Sequence, residues 1–283
     1  MARTFPFIYL YISEIFIHNL PICTMKRIRY LSDIIEFLLT NKLSLKLANT
    51  FPGLYKILAD RLSLKDFLGF PLTMIICIII SGLMTFNELA EQIEESDWML
   101  TLDANIARTA FELRSEWLAQ FFFYFTKLGS FPYVVALCIL VIAIAIYLKK
   151  YIYIIAIVIT MLGTGAAIQI GKNYFHRVRP VDYSFYTEHS YSFPSGHSMA
   201  AVAFYGMIFY LIIRNDLSHR KFWFYAGILF ILLLGFSRIY LGVHFLTDVL
   251  AGYVLGLSWL LFGISIIEWN KVRIKRLSAI PKS

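Results

Sequence analysis

Six long apolar runs divide this chain and constrain its fold more than any other feature. They fall at about 68–86, 131–148, 151–171, 198–213, 222–236 and 245–267. Each is long enough, or nearly so, to cross a bilayer as a helix. The second, fourth and fifth are short for a hydrocarbon core of ~30 Å, so they are expected to extend into polar neighbours or to tilt little. A chain that is 59% hydrophobic and 16% charged does not have the composition of a soluble domain. The competing reading, a soluble all-α protein with buried helices, fits this many runs poorly. The expected class is an all-α integral membrane protein, a six-transmembrane helical bundle.

Charge supplies the orientation. With the N-terminus, Lys149-Lys150, the 214–221 turn and the tail after Ile267 on one side, that side holds nineteen of the 26 Lys and Arg. The positive-inside rule then puts both termini in the cytoplasm. Basic loops beside anionic lipid account for most of the net charge of +8, and no nucleic-acid partner is called for. Cys23, Cys77 and Cys138 are far apart and form no CxxC or Cys/His cluster, so they read as small core residues rather than a disulfide framework or zinc site.

The polar centre of the chain is residues 171–197: GKNYFHRVRP, a polar stretch, then SFPSGHS. Lys172 and Arg179 are seven residues apart and share a face if the preceding helix continues to Arg179. Pro180 turns the chain away. Ser195 and Gly196 open the next apolar run, where a helix N-terminus leaves backbone amides free. Two cations, a serine, a glycine and free amides suit a phosphate. Ser237-Arg238 and His244-Phe-Leu-Thr-Asp248 add a third cation and a second histidine. Alternation through six spans places all of these on the outer membrane face, where the active site is expected.

Lys172-x6-Arg179-Pro180, Pro194-Ser195-Gly196-His197 and Ser237-Arg238-x5-His244-x3-Asp248 together resemble the three signature motifs of the type 2 phosphatidic acid phosphatase superfamily. All three match, in order, and the resemblance covers roughly residues 68–267. An imidazole attacks phosphorus only through an unprotonated nitrogen, and Asp248, four residues after His244, is spaced to orient its ring. Lys172, Arg179 and Arg238 can compensate the charge of a phosphoryl group in flight without a metal. Ser195 and the amides of Gly196 and His197 complete the cradle. His197 suits a proton donor, since a bound phosphate dianion favours its charged form. The resemblance implies the same roles: His244 as nucleophile through a phosphohistidine, Asp248 as orienter, His197 as general acid, and no metal or other cofactor. It also implies a phosphorylated membrane lipid as substrate. Family members act on undecaprenyl pyrophosphate, phosphatidylglycerol phosphate, phosphatidic acid or lipid A, in a bacterial-type inner membrane. The alternatives are a lipid-to-lipid phosphotransferase with the same site and a non-enzymatic lipid or anion transporter. Soluble vanadate-dependent haloperoxidases share the motifs, but six spans argue against that role.

The remaining segments are expected to support this core. Residues 1–66 read as a cytoplasmic or interfacial amphipathic extension, 67–270 as the six-span phosphatase domain and 271–283 as a basic cytoplasmic tail. Residues 1–24 are expected to form an interfacial helix, unless translation starts at Met25. The outer loop, 87–130, carries eight Asp and Glu. In it Asp103 is expected to cap a helix lying along the outer leaflet, with Ile106, Ala110, Leu113 and Trp117 on one face. Glu91, Glu94 and Glu95 read as solvated. Gly163, Gly165 and Ala166-Ala167 suit close helix packing, and Gly242 a close backbone approach. His176 reads as an interfacial ring. Arg177 is open between headgroup contact and snorkelling, and His189 and His219 have no assigned role.

Overall fold

The computed structural model describes residues 22–64 and 66–278. Most of the 1–24 stretch and the last five residues of the tail lie outside the described residues. The chain divides into two compact units, one formed by the chain up to Cys77 with the chain from Glu268 onward, the other by Ile78–Ile267.

In the first unit, α1 (Ile22–Thr40), α2 (Lys42–Thr50) and α3 (Pro52–Leu62) follow one another with almost no linker. Asn41 caps α2 by accepting the Ser44 amide at 2.8 Å, and Pro52 opens α3 where its missing N–H costs nothing. Phe37, Leu43, Phe51 and Ile57 are exposed along these helices. Phe67 and Val272 form a small core, and Arg276 pairs with Asp66 at 2.6 Å.

The following helices are α4 (Phe70–Glu95), α5 (Asp97–Glu112), α6 (Glu116–Thr126), α7 (Phe131–Tyr147) and α8 (Tyr151–Phe175). They are followed by α9 (Gly196–Asn215), α10 (Arg220–Tyr240) and α11 (Leu246–Ser278). Among the described residues five helices are long and apolar enough to cross a membrane, and a sixth span is supplied if α6 and α7 are taken together across a 50° bend. At 1.5 Å per residue the 17 residues of α7 fall short of a ~30 Å core, and α6 supplies the missing length. The 87–130 stretch is therefore helical almost throughout. Asp103 does not cap a helix there. Ser96 caps α5 through the Met99 amide, and Asp103 lies mid-helix and buried.

Helix α9 is the most enclosed of the candidate spans, with half of its apolar window buried. Its Phe204 and Tyr205 pack with Val134 and Leu234, and its Met207 packs with Ala156, Ile157 and Leu260. A π-helical turn at Ala201–Tyr205 interrupts it. Its N-terminus, which begins the Ser-Gly-His motif, is pressed against α11 at Gly252 and Gly256, one helical turn apart. A Cβ on Gly252 would lie 2.7 Å from the Ser195 carbonyl oxygen, and one on Gly256 would lie 2.6 Å from that of Met199. Of the glycines expected to pack, Gly163 meets the Trp259 ring, whereas Gly165 faces open space.

Because backbone cannot yield as a side-chain tip does, Gly252→Ala should displace the Ser195 loop at a cost of about 1–3 kcal/mol. The expected result is a lower thermal midpoint in detergent, with Gly165→Ala close to wild type. Equal midpoints for the two variants would contradict this packing.

Candidate active site

Helix α8 brings Lys172 to its last turn and then stops. His176 adopts a left-handed conformation (φ 48°) as the C-cap, and its amide donates to the Lys172 carbonyl. The helix therefore does not continue to Arg179, and the shared helical face expected for Lys172 and Arg179 does not exist. Instead the non-helical chain after His176 folds Arg179 back. The two side chains meet at Ser190: Lys172 Nζ donates to its Oγ at 2.8 Å, and Arg179 Nη2 at 3.1 Å. Arg179 also donates to the carbonyls of Ser190 and Val243, both at 2.6 Å.

The loop between α10 and α11 carries His244, which is 1% exposed. Gly242 (φ 66°) makes this loop possible, since a Cβ there would sit 2.0 Å from the Tyr183 carbonyl oxygen. His244 Nε2 is 3.0 Å from Arg179 Nη1, and Nδ1 is 3.2 Å from Asp248 Oδ2. A guanidinium only donates hydrogen bonds, so Nε2 accepts, and the ring proton resides on Nδ1 and is donated to Asp248. Burial, then the charges of Arg179, Arg238 and Lys172, hold the His244 imidazole well below its ordinary pKa. The buried nitrogen that faces the cations is thus unprotonated.

Arg238, on α10, is fully buried. It donates to Thr126 Oγ1 at 3.0 Å, to the Tyr186 hydroxyl at 2.5 Å and to Glu188 Oε1 at 2.8 Å. Its Nε is buried without a hydrogen-bond partner among the described residues, a donor directed at no acceptor. Lys172, Arg179, Arg238 and His244 all lie close enough to act electrostatically on His197, in the first turn of α9. Gly129 leaves room for that ring, since a Cβ there would be 3.1 Å from His197 Cδ2. Ser195 caps α9, accepting from the amide and hydroxyl of Ser198, while its own amide donates to the Asp248 carbonyl. Gly196 and His197 supply the first-turn amides, which a helix leaves without intrahelical partners.

The structure thus brings all eight residues singled out by sequence into one region, and it adds three more. Glu188 lies between Arg238 and Arg179, whose Nη2 is 3.8 Å from Oε2. Burial opposes its ionisation, but Arg238 and Arg179 outweigh this and hold its carboxyl below the usual range. Arg177 neither snorkels nor reaches for headgroups. It pairs with Asp248 Oδ1 at 2.5 Å and Asp103 Oδ2 at 2.8 Å. The sequence signal for Glu188 was an acidic residue in a segment dense with cations. For Asp103 there was none. His176 is exposed against Tyr191, His189 is exposed, and His219 sits by Asp216 at the start of α10.

Comparison with known proteins settles the family. The PAP2 superfamily profile matches residues 149–271. Phosphatidylglycerophosphatase B of Bacillus subtilis is 36% identical over 160 residues, covering 55% of this chain and 78% of that protein. The chain belongs to the PAP2 superfamily. An undecaprenyl-diphosphatase of Sulfolobus acidocaldarius is 31% identical over 114 residues, 40% of this chain and 47% of that protein. The crystal structure of a transmembrane PAP2-type phosphatidylglycerolphosphate phosphatase from Bacillus subtilis superposes with a TM-score of 0.64 at 29% identity, covering 68% of this chain and 96% of that one. Asp103 and Thr126 precede the segment matched by the PAP2 profile, so part of the site comes from helices outside it.

With Glu188 between two arginines, any incoming anion competes with a carboxylate. Glu188→Gln should therefore bind orthophosphate about tenfold more tightly, or better, in calorimetric titration. Unchanged or weaker binding would show that the carboxylate does not occupy the anion site.

Proposed function

We propose that this PAP2 protein is a membrane lipid phosphatase that hydrolyses a phosphomonoester or a terminal pyrophosphate through a phosphohistidine on His244. The observation that carries the reading is the buried His244 ring, with Nε2 unprotonated among three cations and Nδ1 hydrogen-bonded to Asp248. The relatives named for phosphatidylglycerophosphate and undecaprenyl diphosphate support a lipid whose phosphate is terminal. The biased distribution of Lys and Arg supports cytoplasmic termini and a site at the outer leaflet of a bacterial-type inner membrane.

Each step assigns work to a named group. A phosphate oxygen replaces His244 as the partner of Arg179, which releases the Nε2 lone pair. That lone pair attacks phosphorus while the bond to the lipid oxygen breaks, and His197 gives that oxygen its proton. Lys172, Arg179 and Arg238 compensate the charge on the three non-bridging oxygens, with the first amides of α9. Asp248 stabilises the cationic phosphoimidazole through Nδ1. Water then attacks phosphorus, the P–N bond breaks, His197 takes the water's proton, and phosphate leaves.

The test is phosphate release from a panel of lipid phosphates and pyrophosphates by the purified protein in detergent. Turnover is expected to persist in excess chelator, and His244→Ala should form no acid-labile, base-stable phosphoenzyme. His197→Gln should lose about two to four orders of magnitude on an alkyl phosphate and less on an activated aryl phosphate, whose leaving group needs no proton. A strict requirement for an added divalent ion, or labelling of His244→Ala, would overturn the reading.

A further inference from the structure

Asp248 is fully buried, and a buried carboxylate needs more than one neutral imidazole to compensate it. Its Oδ2 accepts from His244 Nδ1 and from the Phe245 amide at 2.9 Å. Its Oδ1 is taken by Arg177 Nη1 at 2.5 Å. The Arg177 guanidinium is itself fixed from three other directions. Nη2 donates to Asp103 Oδ2 at 2.8 Å, Nη1 also reaches Thr247 Oγ1 at 2.7 Å, and Cζ lies 4.5 Å from the Phe245 ring centroid. Asp103, 1% exposed on α5, in turn accepts from the Thr247 amide at 3.1 Å and from the Thr247 hydroxyl. A carboxylate from another helix therefore caps the first turn of α11, the turn that carries Asp248.

We infer that Arg177 and Asp103 are positioning residues, which hold the Asp248 carboxylate in register with His244 Nδ1, Arg177 from the loop after α8 and Asp103 from α5, a helix outside the three motifs. The inference rests on the proposed phosphohistidine reading. Within the Asp103–Arg177–Asp248 chain one cation sits between two carboxylates. The outer carboxylate satisfies the cation without competing for the ring, and the inner one keeps Oδ2 for Nδ1 and the Phe245 amide. Asp248 is on α11 and Asp103 accepts from Thr247 of the same turn, so the direction of Asp248 is set relative to the turn that Thr247 anchors.

The remaining charged and titratable groups around the His244–Asp248 pair are Lys172, Arg179, Arg238, Glu188 and His197. They are the same in every variant below. Removing the Arg177 cation lets the pair take up a proton more readily, whichever of the two groups receives it. The acidic limb of kcat/KM should therefore move to higher pH, by about one unit. An arginine that merely packed would leave that limb in place.

The experiment compares wild type with Arg177→Gln, Arg177→Lys and Asp103→Asn, each full-length in detergent. The ring 15N signals of His244, assigned by their loss in His244→Gln, are followed against pH, alongside kcat and KM for an alkyl lipid phosphate. In wild type the signals should report a proton on Nδ1 and a low titration midpoint. Arg177→Gln should raise that midpoint by about one unit and lower kcat at least tenfold, with KM little changed. Arg177→Lys should recover part of both. Asp103→Asn should also lower kcat but, because it removes a negative charge, should move the midpoint down rather than up, and its effect on kcat should add little once Arg177 is already Gln. Unchanged ring signals and pH limb in Arg177→Gln would overturn the inference. Should that variant fail to fold, the same null result in folded Asp103→Asn would overturn it equally. If wild type releases no phosphate from any lipid while the ring signals shift as expected, the lipid phosphatase reading falls and the positioning role stands.

Discussion

Cations largely withdrawn from water organise the Ile78–Ile267 unit. Arg238 is fully buried and Arg179 nearly so, and Arg177 and Lys172 are only partly accessible. Such groups persist in an apolar protein only where carboxylates and carbonyls meet them. Asp248, Asp103 and Glu188 do so, each from a different segment of the chain. The carboxylates divide the cations into two sets. Arg177 is held on both sides and serves the Asp248 face of His244. Arg179 and Arg238 share one carboxylate between them, and Arg238 keeps an Nε unpartnered among the described residues. The second set is thus left with positive charge to offer an anion, and its Arg179 meets Nε2.

The enclosed helix α9 makes this possible. Its N-terminus carries Ser195, Gly196 and His197, and its flank is fixed by Gly252 and Gly256 of α11 at distances no larger residue permits. The same α11 begins with Thr247 and Asp248. The dipole end of one helix and the carboxylate that meets His244 from another are therefore set by a single helix contact, reinforced by the Ser195 amide donating to the Asp248 carbonyl. A structural claim about packing becomes a functional one here, because a shift of α9 on α11 moves His197 relative to His244.

Much of this was legible in the sequence, for identifiable reasons. Apolar runs report directly on membrane helices, and the three motifs single out the two histidines, Asp248 and three cations. What failed rested on local rules. Heptad spacing put Lys172 and Arg179 on one helical face, but His176 ends the helix in a left-handed cap, and a loop rejoins them at Ser190. A cap rule made Asp103 a helix start, although Ser96 already served and Asp103 was needed by Thr247, 144 residues later. Arg177 was read against the bilayer because its partners are distant in sequence. The short second run needed α6, whose bend relative to α7 interrupts the apolar pattern. Long-range ion pairing leaves no periodic trace, and in this site it sets the geometry.

The central claim is that His244 Nε2 meets phosphorus inside the cage of Lys172, Arg179 and Arg238. The most direct measurement is a crystal structure with orthovanadate, which takes the five-coordinate geometry of phosphorus in transfer. The account predicts vanadium bonded to His244 Nε2, its equatorial oxygens on the three cations, and Glu188 displaced from Arg238. Vanadate bound away from Nε2, or Arg238 still paired with Glu188 beneath it, would contradict the account.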